Sequence, residues 1–131
     1  MRNAGDPGKR LLAAAALACA ALAAWPTAGR AGKADVVDVG VEAQGERTYR
    51  FSVTVRHADE GRDHYADRWQ VLTPGGRLLD TRILHHPHEN EQPFTRSLGG
   101  VEVPADVSRV TVRARDSVHG YGGAEVTIEL P

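Results

Sequence analysis

The chain has 131 residues, a formal net charge of −1, six histidines and one cysteine. A single cysteine excludes a disulfide framework and any site built on several thiolates. Near-neutral charge, with no basic cluster beyond the first 31 residues, excludes binding to nucleic acid or to an anionic membrane by charge alone.

Residues 1–31 read as a signal peptide. Arg2, Lys9 and Arg10 precede an apolar run from Leu11 to Trp25, Pro26 breaks it, and small residues follow. That is the order of a secretory leader. The run is too short and too alanine-rich for a comfortable membrane span. We place cleavage between Ala28 and Ala34, with Ala31 favoured, which leaves a single domain over 32–131 in the periplasm or outside the cell. The cysteine, Cys19, lies inside this leader. It has Ala16 where a lipid-attachment signal wants Leu three positions earlier, so lipid anchoring is the lesser reading. Losing residues 1–31 removes four basic residues and one acidic residue and takes the charge to −4. No cysteine then remains, so a metal site in the domain must use nitrogen and oxygen donors.

The rest of the chain alternates. "VVDVGVEAQ" runs to a turn at Gly45-Glu46. "YRFSVTVRH" puts Tyr49, Phe51, Val53 and Val55 on one face and Arg50, Ser52, Thr54 and Arg56 on the other. This period of two marks a half-buried antiparallel strand. "DRWQVLT" leads into Pro74-Gly75-Gly76, a hairpin turn by composition, and "RLLDTRILH" returns. After a histidine-rich loop come "FTRSLGGVEV", then "SRVTVRARDS" with Val110, Val112 and Ala114 facing inward, then "GAEVTIEL". Strands are predicted over 34–43, 48–57, 66–73, 78–85, 94–101, 108–116 and 124–130. No window shows helical spacing at useful length. Seven short strands in about 100 residues predict an all-β, immunoglobulin-like antiparallel sandwich. Its core should hold Phe51, Val53, Trp69, Val71, Val110, Val112, Val126 and Ile128, with Trp69 as the buried indole of the third strand. A small barrel is the structural alternative.

If these strands run alternately up and down, the loops after the second, fourth and sixth strands share one end. His57 and His64 bracket the first of these loops. His85, His86 and His88 open the next, in "ILHHPHENEQPF". His119 lies in the last. All six histidines therefore fall at one end. Imidazole is the commonest protein ligand for Zn, Cu and Fe, and a carboxylate completes many such sites. Asp116, three residues before His119, can turn inward with it, and Asp59, Asp63, Glu89 and Glu91 are close in sequence. Ser117 stands between Asp116 and His119, but no activating turn marks it as a nucleophile.

Two stretches resemble a known family. "HADEGRDHYADRWQVL", residues 57–72, is similar to the segment of superoxide reductases (the iron domain of desulfoferrodoxin) in which histidines precede a Trp-bearing strand. "RDSVHGYGG", residues 115–123, resembles that family's Cys-Asn-x-His-Gly-x-Trp segment. The order is the same, and the two cover about a quarter of the domain. The resemblance implies an immunoglobulin-like fold and mononuclear iron held by His57, His64 and His119, with Asp116 at the position of the axial cysteine. This chain departs from the family in having no cysteine there and no histidine before His57. His86 or His88 is the candidate to replace the absent ligand. A carboxylate does not tune iron as a thiolate does, so the resemblance carries fold and site further than it carries activity. The patterns "DHYADRW", "HPH..EQPFTRSL" and "VHGYGG" also resemble small secreted bacterial proteins with no established function.

Three readings follow. The first is a secreted or periplasmic metal-binding protein that uses His57, His64, His86, His88, Asp116 and His119 for a transition metal, Fe, Cu or Zn. The second is a superoxide-reductase-like redox protein with mononuclear iron or copper. The third is an interaction module without metal, whose protein partner the sequence does not name.

Overall fold

The computed structural model describes residues 32–131. The proposed leader, its cleavage site and Cys19 lie outside the described residues. Seven strands follow in order: β1 (Asp35–Gly45), β2 (Thr48–Arg56), β3 (Ala66–Leu72), β4 (Leu78–Ile83), β5 (Phe94–Glu102), β6 (Arg109–Asp116) and β7 (Val126–Glu129). They form two antiparallel sheets, β1-β2-β5 and β4-β3-β6-β7. The described residues contain no helix, and so none long and apolar enough to cross a membrane. The chain is an all-β sandwich, as its alternating pattern predicts. Relative to an immunoglobulin constant domain, the fourth strand has joined the sheet of the third and sixth.

The alternation works as burial. Phe51, Val53 and Val55 are fully buried on β2, while Arg50 and Arg56 stay in water. Trp69, Val71, Val110 and Val112 meet them from the other sheet, each at zero exposure. Val126 and Ile128 are only partly buried, packed against the rim of this core. The reason is that β7 is a four-residue edge strand. Its flanks bond elsewhere: Ala124 accepts from Val36 N–H at 2.9 Å, and Leu130 N–H donates to Ser108 O at 2.9 Å. The turn between β1 and β2 sits one residue later than its composition suggests, with the left-handed residue at Arg47 (φ 58°) rather than at a glycine. Arg47 is held there by donating from Nε to Val103 O (3.2 Å) and from Nη2 to Pro104 O (2.6 Å).

The start of β1 is fastened to the approach of β7. Asp35 Oδ1 accepts from Ala124 N–H at 2.7 Å. A Cβ on Gly123 would overlap the Ala34 carbonyl and lie 2.7 Å from Asp35 Oδ1. The obstacle is main chain, which cannot swing aside. Gly123→Ala is therefore expected to cost about 1–3 kcal/mol, read as a lower urea midpoint. An unchanged midpoint would show that this junction gives way freely.

Candidate metal centre

The loops β2–β3, β4–β5 and β6–β7 meet at one end of the sandwich and are tied together there. His57, the first residue beyond β2, donates its main-chain N–H to Gln92 Oε1 at 2.9 Å. Asp59 Oδ2 accepts from His88 N–H at 2.6 Å. Tyr65 N–H donates to Ser117 Oγ at 3.0 Å, so Ser117 is a stitch between loops. All three histidine-bearing loops thus share a place.

Asp116 ends β6 with its side chain fully buried. Its main chain pairs both ways with Gly120, at 3.0 and 2.9 Å, and the left-handed φ of 75° at Gly120 lets this turn close. The tight turn points two main-chain N–H groups back at the carboxylate. Oδ1 accepts from Val118 N–H (2.7 Å), His119 N–H (2.6 Å) and His119 Nδ1 (3.1 Å). Oδ2 makes no hydrogen bond and is buried. It lies against His57 Nε2 and 2.7 Å from His64 Nε2.

Both of these imidazoles are fixed from behind. His57 Nδ1 donates to Asp59 Oδ1 at 2.6 Å, and His64 Nδ1 donates to Glu60 Oε1 at 2.8 Å. A carboxylate only accepts, so each neutral ring carries its proton on Nδ1 and turns the Nε2 lone pair toward Asp116 Oδ2. A carboxylate behind a histidine is the usual outer partner of a metal-binding imidazole. His57, His64 and Asp116 each offer one donor atom, and these atoms lie within 4.8 Å of one another. His64 Nε2, like Asp116 Oδ2, is buried and forms no hydrogen bond. The group fits a cation.

Electrostatics agrees with the geometry. Burial by itself disfavours a charged His57, but the Asp59 hydrogen bond and the Asp116 charge outweigh it, and its pKa lies above the ordinary 6.5. His64 is raised by its bond to Glu60, partly opposed by burial, and further by Asp116 and the Gly32 carbonyl. Burial would raise Asp59 and Asp116. Asp59 is nevertheless lowered by His57 and by the N–H groups of His88 and Ala66, and Asp116 by the N–H groups of His119 and Val118 and by the His57 charge.

The other histidines divide. His119 stands beside the group, its ring 5.1 Å from that of His64, 40% exposed and bonded to Asp116 Oδ1. His86 and His88 are not drawn into it. The His88 ring stacks on Phe94 at 3.9 Å, nearly parallel, and His86 lies 5.1 Å from His88. Burial, then Arg96 and His86, keep His88 below the ordinary pKa. The β4–β5 loop therefore serves the site through the His88 main chain rather than through imidazole. His85 is exposed. By sequence, Asp59 is only one of several carboxylates near the histidines. Its signal was the spacing itself, an acid two residues after His57, as Glu60 stands four before His64. The contribution of Gly32 has no signal in the sequence.

No family model and no solved structure matches the chain. A protein of Halomicrobium mukohataei described as "Putative lipoprotein" is 46% identical over 97 residues, which is 74% of this chain and 47% of that protein. The chain thus spans about half the length of that relative.

Proposed function

We propose that this is an exported metal-binding protein: residues 1–31 direct export, and His57, His64 and Asp116 bind a transition metal ion with His119 at the rim. The observation that carries this reading is the meeting of two imidazole Nε2 atoms on one buried carboxylate oxygen, each ring held by a second carboxylate behind it. The description of the relative as a lipoprotein suits an exported chain. Two imidazoles and a carboxylate without sulfur suit Zn, Cu(II) or Fe(II). Metal analysis of protein recovered from its own cell envelope, followed by titration with each ion at neutral pH, tests the reading. Stoichiometric binding of one ion is expected. Binding no stronger than that of a His57→Ala, His64→Ala double variant would make the histidine end a solvated surface and favour the interaction module.

A second reading rests on the composition of this donor set. Two histidines and a carboxylate with open positions are what non-haem Fe(II) sites use, and the resemblance of residues 115–123 to superoxide reductases would put Asp116 at their cysteine position. Iron-loaded protein that consumes superoxide faster than free iron would support it, and equal rates would reject it.

The raised histidines give metal-free and loaded protein opposite responses to pH. In the metal-free protein, His57 and His64 contribute stability that is fully present below 6.5 and lost as pH rises through their raised folded values. His88, being lowered, works the other way: its contribution is present above 6.5 and lost on acidification. Metal needs the imidazoles deprotonated, so loading stabilises more as pH rises. As pH rises above 6.5 the melting temperature is expected to fall in chelator and to rise with excess Zn(II). Parallel curves would count against the site.

A further inference from the structure

The main chain of Gly32 reaches the same group of donors. Its carbonyl oxygen lies 3.2 Å from His57 Nε2 and also faces His64. A Cβ on this residue would lie 2.7 Å from both nitrogens of the His119 ring, so the main chain itself is packed on that imidazole. The Gly32 carbonyl oxygen is thus within reach of an ion held by His57, His64 and Asp116.

Gly32 is also the first residue after the favoured cleavage point. We propose that removal of the leader after Ala31 makes Gly32 a chelating metal ligand, its freed α-amine and its own carbonyl oxygen closing a small ring on the ion held by His57, His64 and Asp116. This rests on the metal-binding reading above. Leader peptidase and one water break the Ala31–Gly32 bond, leaving a carboxylate on Ala31 and an amine on Gly32. The amine gives its proton to solvent when it binds metal. Before cleavage the same nitrogen is an amide whose lone pair is delocalised into the carbonyl, and it is no donor. Cleavage then raises the affinity of the histidine site only after export.

The test uses the full-length chain, exported and purified. Mass spectrometry is expected to show a protein beginning at Gly32, and a different first residue would overturn the proposal. Metal-free protein is then treated with pyridoxal phosphate, which converts an amino-terminal glycine amine to a carbonyl and spares Lys33. Cu(II) affinity is measured by competition with a chelator before and after treatment. Outer partners of metal ligands are worth about 10–100-fold in affinity, and a direct ligand at least as much, so a loss of at least about tenfold is expected. Cu(II) bound beforehand should also protect the amine from the reagent. Equal affinity with no protection would overturn the amine ligand while leaving the histidine site in place. Absence of Cu(II) binding before treatment would overturn both.

Discussion

Replacing His64 with Ala is expected to abolish stoichiometric binding of Zn(II) or Cu(II), while His85→Ala leaves binding unchanged. His64 is the best single probe because its side chain is 20% exposed. Its removal disturbs no packed core, and a urea midpoint measured beside the titration separates lost binding from unfolding. His57 and Asp116 have almost no exposure, and their variants mix the two effects. A structural zinc site of four ligands is worth about 10–16 kcal/mol, so one ligand carries about 2.5–4 kcal/mol, or two to three decades in affinity. Chelator competition resolves that range. His85 is exposed and outside the group, so it controls for the general attraction of metal to surface imidazole. Binding by His64→Ala at wild-type strength would remove His64 from the site.

Asp59→Ala is expected to unfold the protein much more readily, by about 3–5 kcal/mol, as breaking a buried pair from one side does. The Asp59 side chain has no exposure. It accepts from His57 Nδ1 at 2.6 Å, from His88 N–H at 2.6 Å and from Ala66 N–H at 3.1 Å. Those three donors come from three places: the end of β2, the β4–β5 loop and the start of β3. Deleting the carboxylate strands two buried main-chain donors and leaves His57 without the group that fixes its proton on Nδ1. Metal affinity should fall as well, by about 10–100-fold, since an outer partner of a ligand is lost. Asp59→Asn keeps the size and one acceptor, so it should recover part of the stability and less of the affinity. Urea midpoints with and without metal separate the two losses. A midpoint for Asp59→Ala equal to that of the parent chain would show that Asp59 does not tie the loops.

The two variants probe different layers of one arrangement. His64 meets the metal, and Asp59 holds His57 in the one ring state that can. If Asp59→Ala loses stability but keeps full affinity, the carboxylate is a strut for the loops alone. If His64→Ala loses affinity and keeps stability, the exposed side of the group has been separated from its buried base.

The alternation of Tyr49, Phe51, Val53 and Val55 determined β2 and its buried face, because side chains of a strand leave the backbone on alternate sides whatever it packs against. The same local rule located all seven strands, and with up-and-down strand directions it put all six histidines at one end. It did not reach which strands share a sheet: β4 pairs with β3 and not with β5, although β4·β5 contacts close that side of the sandwich. Nor did it tell ligand-competent histidines from the rest. His88 occurs in the densest histidine stretch, yet its ring stacks on Phe94 and its main-chain N–H is the part that reaches the site. His57 Nε2 meets Gly32 across 25 residues, and His57 N–H meets Gln92 across 35. Contacts over such separations depend on how two sheets twist and where three loops close. A period of two carries no record of that, so the sequence alone decided the fold class and the end of the sandwich, and the packing of the loops decided which nitrogen and which oxygen face one another.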